Sequence, residues 1–403
     1  MPSRHQFWFT PWCEVTSPFT IGPVTFWPGD AALKKAPVPV RKAARLRLRQ
    51  YRAIDGDRLP TPGILALGTD PFRVVTDEEA ELLRSAGDGA SLLAVASSDD
   101  FRHGHDYRNS THLTVVQQNF TPDSEYIAVG GRRRFGQVSD GGYLVREVRF
   151  HAAVEASRCR FDGGARELRD ALTAAWDDPL SVQIRSAAWW FRAATSDAPS
   201  LGLSADVKLL STALEALCKR PGMVARASVA DALGRLFPPD RTSRPGWDAW
   251  SQRRGQAPQV AARPTWTALQ FWSNDFFHLR NALEHDGRDT RPQFPSCPSW
   301  TGLRAVLIGI NVFPLLVRGL LAEAGGYTWT EDDFSRLDFL EGLVEVPGFR
   351  MGGAGDWQAC VKEASDASFT RVIRRLVDAH GLGAGADEDS AQDVEAAREG
   401  GET

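Results

Sequence analysis

The feature that most constrains the fold of this chain is a change of hydrophobic period at residues 162–164, where the tripeptide DGG separates two regimes. Before it, short apolar runs alternate with a period of two and are punctuated by Gly and Pro. After it, apolar residues recur at the 3.6-residue spacing of helices. The segments GPVTFWPG, ARLRLRQYR, GILALG, HLTVVQQNF, EYIAVGG and GGYLVREVRF read as strands. DEEAELLRSAG reads as one short helix opening beside the N-cap candidate Thr76. Beyond the break, helices are expected over 165–176, 180–195, 204–219, 223–236, 264–286 and 299–324. The expected fold class is therefore α+β: a β-rich N-terminal domain over 1–160, serving as a sensor or RNA-binding unit, then an all-α helical bundle over 165–330. Shorter appended helices follow over 331–385, and an acidic, aromatic-free tail over 386–403 reads as disordered. The Pro- and Arg-rich stretch 238–264 reads as a surface insertion.

Bulk properties narrow the class of protein more than its activity. Apolar residues make up 42% of the 403 and charged residues 24%, the balance of an ordinary soluble globular chain. The net charge of −4 conceals an asymmetry, because the tail holds seven acids and one base and leaves the body at +2. Five cysteines, Cys13, Cys159, Cys218, Cys297 and Cys360, lie far apart with no CxxC pair, which argues against a zinc site and a disulfide framework and fits a reducing cytoplasm. The N-terminal stretch has no apolar core of a secretory signal. The most apolar run, 305–317, is short for a bilayer and contains Asn311 and Pro314, so it is expected as a buried helix with no membrane role.

The stretch FFHLRNALEHDG, 276–287, carries more polarity than a packing helix needs. At about 100° per residue, Trp272, Phe276, Leu279 and Leu283 form one core stripe. His278, Asn281 and His285 fall opposite, with Arg280 and Glu284 on the flank, and Phe277 also points away from the stripe. That second face is therefore expected to meet a partner. Arg280 and His285 have the spacing R-x4-H, which chance alone supplies about once in a chain this rich in arginine. Two further pairs share it, Arg146 with His151 on opposite faces of a strand and Arg375 with His380 at a helix end. A solvated polar face is the plainer reading of the motif helix taken alone.

With its flanks, however, the region resembles a known family. R-N-x-x-x-H on a bundle helix, here Arg280, Asn281 and His285, is the signature of HEPN ribonucleases. The stretch 178–217, notably AAWWFRAA and STALEAL, is similar to the opening of the ApeA-like HEPN domains of phage-defence proteins, and the resemblance covers about 178–324. It implies an all-α HEPN bundle and a metal-independent endoribonuclease acting in abortive infection, with no cofactor. Its alternatives are a HEPN toxin neutralised by an antitoxin, or a catalytically silent HEPN scaffold that binds RNA or protein. The chemistry suits the residues. His285 can act as general base or acid near neutral pH. Arg280 can neutralise charge growing on the phosphate, and Asn281 can orient either group. The resemblance also implies a support role for Glu215, for which an i,i+4 pair with Lys219 is the competing reading. Arg280 and His285 lie about 140° apart on one helix. HEPN domains pair about a two-fold axis, so a homodimer through the motif helix, with Phe277 in its interface, is the expected assembly.

RNA, with tRNA one candidate, is the expected substrate, and a phage-derived molecule the expected trigger. His278 joins the motif face as a substrate-binding candidate. Read as a strand, ARLRLRQYR places Arg45, Arg47 and Arg49 on one face, able to track phosphates, and Arg132, Arg133 and Arg134 add charge at a turn. Solubility alone is the alternative account of both clusters. Trp189, Trp190 and Phe191 read as core in preference to base-stacking groups, and His103, His105 and His112 lack the acid or thiol pattern of a metal site.

Overall fold

The computed structural model describes residues 4–53, 56–59, 61–97, 110–123, 126–129, 143–150, 159–196, 203–238, 266–285 and 302–345, with isolated positions between 362 and 377. Among these residues an N-terminal antiparallel sheet and ten helices make a mixed α+β fold. The strands β1 (His5–Thr10), β2 (Cys13–Val15), β3 (Phe19–Ile21) and β4 (Val24–Pro28) come first. They lead into helices α1 (Gly29–Lys35) and α2 (Val38–Gln50), strands β5 (Tyr51–Ala53) and β6 (Gly63–Leu67), and helix α3 (Asp77–Ala96). Then follow β7 (Val116–Phe120), β8 (Ile127–Val129), β9 (Tyr143–Val145), β10 (Val148–Phe150) and β11 (Cys159–Phe161).

Five of the strands form one sheet in the order β3-β4-β6-β1-β7, every neighbour antiparallel. Alternation along β1 sends Phe7 and Phe9 to one face and Trp8 to the other. On the first face, Phe7, Phe9, Ile64 and Phe120 pack under Ala32 and Leu33 of α1 and Val40, Ala43 and Ala44 of α2. On the second, Trp8, Phe26 and Leu65 join a cluster with α3. Both faces are thus covered, which is why β6 is buried at every position.

Three sequence readings are corrected here. ARLRLRQYR is not a strand: residues up to Gln50 belong to α2, and only Tyr51 and Arg52 enter a strand. The alternation over 45–49 is local, while the buried set Val40, Ala43, Ala44 and Arg47 has the i, i+3, i+4, i+7 spacing of a helix, which a proline in the first turn helps to start. GGYLVREVRF forms two strands, because β9 pairs with β8 and β10 pairs with β5. The Thr76 helix runs 20 residues and does not stop at its glycines, although its capping box with Glu79 is as the sequence suggests. Gly87 is there for contact, since a Cβ would meet the Val115 methyl at 2.5 Å.

The second regime builds α4 (Arg166–Ala174), α5 (Pro179–Ala194), α6 (Leu203–Cys218), α7 (Ala225–Leu236), α8 (Ala268–His285), α9 (Gly302–Glu323) and α10 (Glu331–Glu345), close to the expected spans. The DGG tripeptide is a turn with left-handed Gly163 and Gly164, at φ 103° and 61°. It does not separate two cores. One continuous apolar cluster runs from Trp8 and Phe26 through α3 to Phe191, Trp272 and Phe313. Gly22, at φ 56°, lets the β3–β4 turn lie against Trp176, and its amide donates to Thr173 Oγ1 at 3.2 Å. The helix α9 falls within the expected 299–324, and its apolar span Ala305–Glu323 is 78% buried inside the bundle. The stretches 239–265 and 386–403 lie outside the described residues.

Two ion pairs, one fully buried and one partly so, tie the layers together. Arg318 of α9 and Asp333 of α10, each side chain 2% exposed, meet at 2.7 Å, and Arg318 also donates to the Ala96 carbonyl that ends α3. Asp333 in turn accepts from Thr330 and from the Tyr327 hydroxyl. Replacing Arg318 by Met strands the carboxylate, so a loss of about 3–5 kcal/mol is expected in urea unfolding; a loss near zero would show that the pair does not hold these helices.

Asp88 of α3 meets Arg192 of α5 at 2.5 Å. Burial pushes its carboxyl up to about 6, against the opposing pull of Arg192. Because this lies above the unfolded value of about 4, the folded state binds the proton more tightly. The stability contributed by this group is therefore fully present below about pH 4, is lost as the pH rises through about 6, and is level above. Asp88→Asn is expected to flatten that fall in unfolding curves collected between about pH 4 and 7; an unchanged slope would place its origin elsewhere.

Candidate active site

The motif helix is α8, and its first half is locked in place before the motif begins. Thr267 and Gln270 exchange backbone and side-chain hydrogen bonds in a buried capping box, Gln270 Oε1 accepting from Thr267 N at 2.8 Å and Thr267 Oγ1 from Gln270 N at 3.3 Å. Gln270 Nε2 also donates to the Ala230 carbonyl of α7 at 2.9 Å. Gly234 makes room for that amide, since a Cβ there would meet Gln270 Nε2 at 2.4 Å. Helices α6, α7, α9 and α10 all contact α8, and every residue from Thr267 to Phe277 is buried.

Phe277 is accordingly core. It is 2% exposed, lies in the main apolar cluster and meets Phe276 edge to face at 6.3 Å between centroids. The expectation that it needs a partner chain is corrected: four neighbouring helices surround α8, so a second apolar face is met within the same chain. Helix periodicity counts angles and cannot say how many neighbours a helix has.

Exposed polar side chains appear on α8 only after Leu279, beyond buried Ser273, Asn274 and Asp275 and half-buried His278. Arg280 is half-buried, Asn281 and Glu284 are exposed, and Ala282 and Leu283 are half-buried. His285 is the last residue of α8, and its side chain lies outside the described residues. Arg280 stands between two carboxylates, with Nη1 3.7 Å from Glu215 Oε2 of α6 and Nε 3.2 Å from Glu284 Oε1. Of the two readings of Glu215, it is the one facing the motif arginine that has a counterpart in the geometry. Each contact is solvent-accessible and worth at most about 1 kcal/mol, so they orient the guanidinium more than they stabilise the fold. The trio carries a net charge of −1, and the contacts use only Nε and Nη1 of the guanidinium.

His278 projects about 200° from Arg280 around the helix, towards α7. Arg226 Nη1 lies 2.8 Å from His278 Nε2. A guanidinium can only donate, so that ring nitrogen is the acceptor and carries no proton. Among the described residues no carboxylate lies within ion-pair distance of Arg226, so this flank of α8 is positive where the Arg280 flank is negative. Arg226 escaped the sequence reading because nothing local links a residue of α7 to one of α8.

The remaining candidates are scattered. Arg45 and Arg49 are exposed on one side of α2, but Arg47 is 0% exposed and donates to Gln50 Oε1 at 3.2 Å, so it is corrected from an RNA contact to a core group. A helix places 45 and 49 together and 47 opposite, which dissolves the expected basic row. Arg132, Arg133 and Arg134 lie outside the described residues, as do His103, His105, Arg375 and His380. Phe191 is core, stacked on Phe313 at 4.3 Å, and Trp190 is half-buried, whereas Trp189 is 47% exposed and corrects the all-core reading of that triplet. Among the described residues no group of three or more His, Cys, Asp or Glu is gathered as a metal site would require.

Comparison with protein-family models, with curated proteins and with solved structures finds no match to this chain.

Phe277→Asp provides a test of the corrected packing. Burying an uncompensated carboxylate there is expected to cost at least about 4 kcal/mol. The variant should lose cooperative melting in circular dichroism at every protein concentration. A folded monomer with an unchanged spectrum would instead return Phe277 to an interface between copies.

Proposed function

We propose that this chain is a metal-independent endoribonuclease of HEPN type that acts in antiphage defence. The observation that carries the proposal is the contact between Arg280 and Glu215. These residues come from separate helices and were linked beforehand only by resemblance to that family. Their meeting at the partly exposed end of a bundle helix, beside exposed Asn281, supports a site in preference to scattered surface charge.

In this reading the 2′-oxygen of RNA loses its proton to a base, attacks the adjacent phosphorus and forms a new P–O bond. The P–O5′ bond breaks, and the departing oxygen receives a proton. His285 serves as the base or acid, Arg280 balances the negative charge of the phosphorane, and Asn281 orients the group. Glu215 positions Arg280 until substrate arrives. A homodimer through the motif helix would supply a second His285, and it would have to use the exposed end of α8, since Phe277 is enclosed. Because the sheet and the bundle share one core through α3, a phage-derived signal received by the N-terminal region has a packed route to the site.

The same contact gives weight to a second reading. An arginine held by two carboxylates is also what a structural ion pair looks like, which suits a silent HEPN scaffold.

Sequencing RNA ends from cells expressing wild type, Arg280→Ala and His285→Ala separates the two. Wild type is expected to leave 2′,3′-cyclic phosphate and 5′-hydroxyl ends, with cleavage surviving EDTA. Each variant should lose about 100-fold or more of the activity with circular dichroism unchanged. A variant that cleaves at the wild-type rate overturns the assignment, and 5′-phosphate ends or loss on chelation would indicate a metal nuclease instead.

A further inference from the structure

The positive flank of α8 is the part of this region that the R-N-x-x-x-H pattern does not use. Arg226 stands 2.8 Å from the His278 ring, and among the described residues it has no carboxylate to balance it. Several other bundle arginines meet acids, Arg192 with Asp88, Arg220 with Asp231, Arg235 with Glu323 and Arg318 with Asp333, while Arg185 of α5 is instead held by the Trp176 carbonyl and ring. A guanidinium set against an imidazole gains one hydrogen bond but leaves its charge uncompensated. An anion offsets that charge, because it can accept from the remaining N–H groups of Arg226.

The position along the helix identifies which anion. His278 and position 285 are seven residues apart, so they lie within about 20° on the same face of α8 and about 10.5 Å apart along its axis. One phosphate cannot reach both. A strand that presents one phosphate at position 285 carries further phosphates along its backbone, and that backbone is a ligand which repeats its charge over such a distance.

We propose that Arg226, together with His278, is a binding site for an RNA backbone phosphate flanking the scissile one. Arg226 thereby fixes the register of the strand along α8, a role distinct from the chemistry at Arg280 and His285. This rests on the RNA-cleaving reading, and the test is arranged so that the two fail separately.

The experiment uses the full chain with a single-stranded RNA oligonucleotide and with a dinucleoside monophosphate, which has no flanking phosphate. Arg226→Ala, shown to be folded by its melting curve, is expected to raise KM for the oligonucleotide about 10-fold with kcat within about 2-fold. It should also make log(kcat/KM) less dependent on log salt, by about 0.7. Arg226→Lys should recover most of the salt dependence as a point charge, and cleavage of the dinucleoside monophosphate should not change in either variant. Unchanged KM and salt slope for the oligonucleotide overturn the proposal. So does an equal loss on both substrates, which would place Arg226 at the scissile phosphate or in the fold. Binding of the same oligonucleotide in a His285→Ala background separates the remaining cases. Binding that depends on Arg226 in a protein whose wild type cleaves nothing keeps the phosphate site and ends the nuclease reading. Cleavage that ignores Arg226 does the reverse, and a wild type that neither binds nor cleaves RNA overturns both.

Discussion

Arg318 is the residue on which the arrangement of layers depends. Its guanidinium is almost wholly removed from water and has to be satisfied inside the protein, by Asp333 on α10 and by the carbonyl that closes α3. Buried charge tolerates few geometries, because any displacement that parts the pair leaves an ion in an apolar medium. That requirement fixes where α3 ends against α9 and where α10 begins, and α10 in turn is one of the four helices around α8. Asp333 strengthens the joint by capping α10 through Thr330. Tyr327, whose pKa burial and this carboxylate push up to about 12, completes its shell as a neutral donor.

From that frame the motif helix acquires two halves with different physics. Thr267 to Phe277 is sealed by its capping box, by the bond from Gln270 to the Ala230 carbonyl of α7 and by burial of every residue, among them polar Ser273, Asn274 and Asp275. The last turns emerge at the edge of the bundle, where side chains can be exchanged between internal partners and a ligand. A site built this way has its backbone positioned by the deep half and its chemistry displayed by the shallow half. The charge is also divided: acids from α6 and from α8 itself surround Arg280, while Arg226 leaves the α7 side basic.

The helical half of the fold was legible in the sequence because its signal is redundant. Each of α4 to α9 repeats an apolar stripe several times, so a few atypical residues do not hide it. The β-rich half was read less faithfully. Short windows carry little information, and ARLRLRQYR satisfied the period of a strand over five residues while its neighbours Val40, Ala43 and Ala44 obeyed the period of a helix. Gly87 and Gly89 read as punctuation, but α3 runs through them, and the methyls of Val115 and Ile21 lie where their side chains would begin.

By itself, the sequence determined the α+β class, the start of α3 at Thr76, the spans of the bundle helices and the row of polar residues that ends α8. These are consequences of local spacing and of capping chemistry, which act over a few residues. Only the tertiary structure decided that Phe277 is core, that Arg47 is buried, that Glu215 faces Arg280 and that Arg226 reaches His278. Each of those depends on how many neighbours an element has and which of their side chains arrive at the same point. Periodicity records the face of a helix but not what lies against it, because burial and ion pairing are properties of packing between segments distant in the chain.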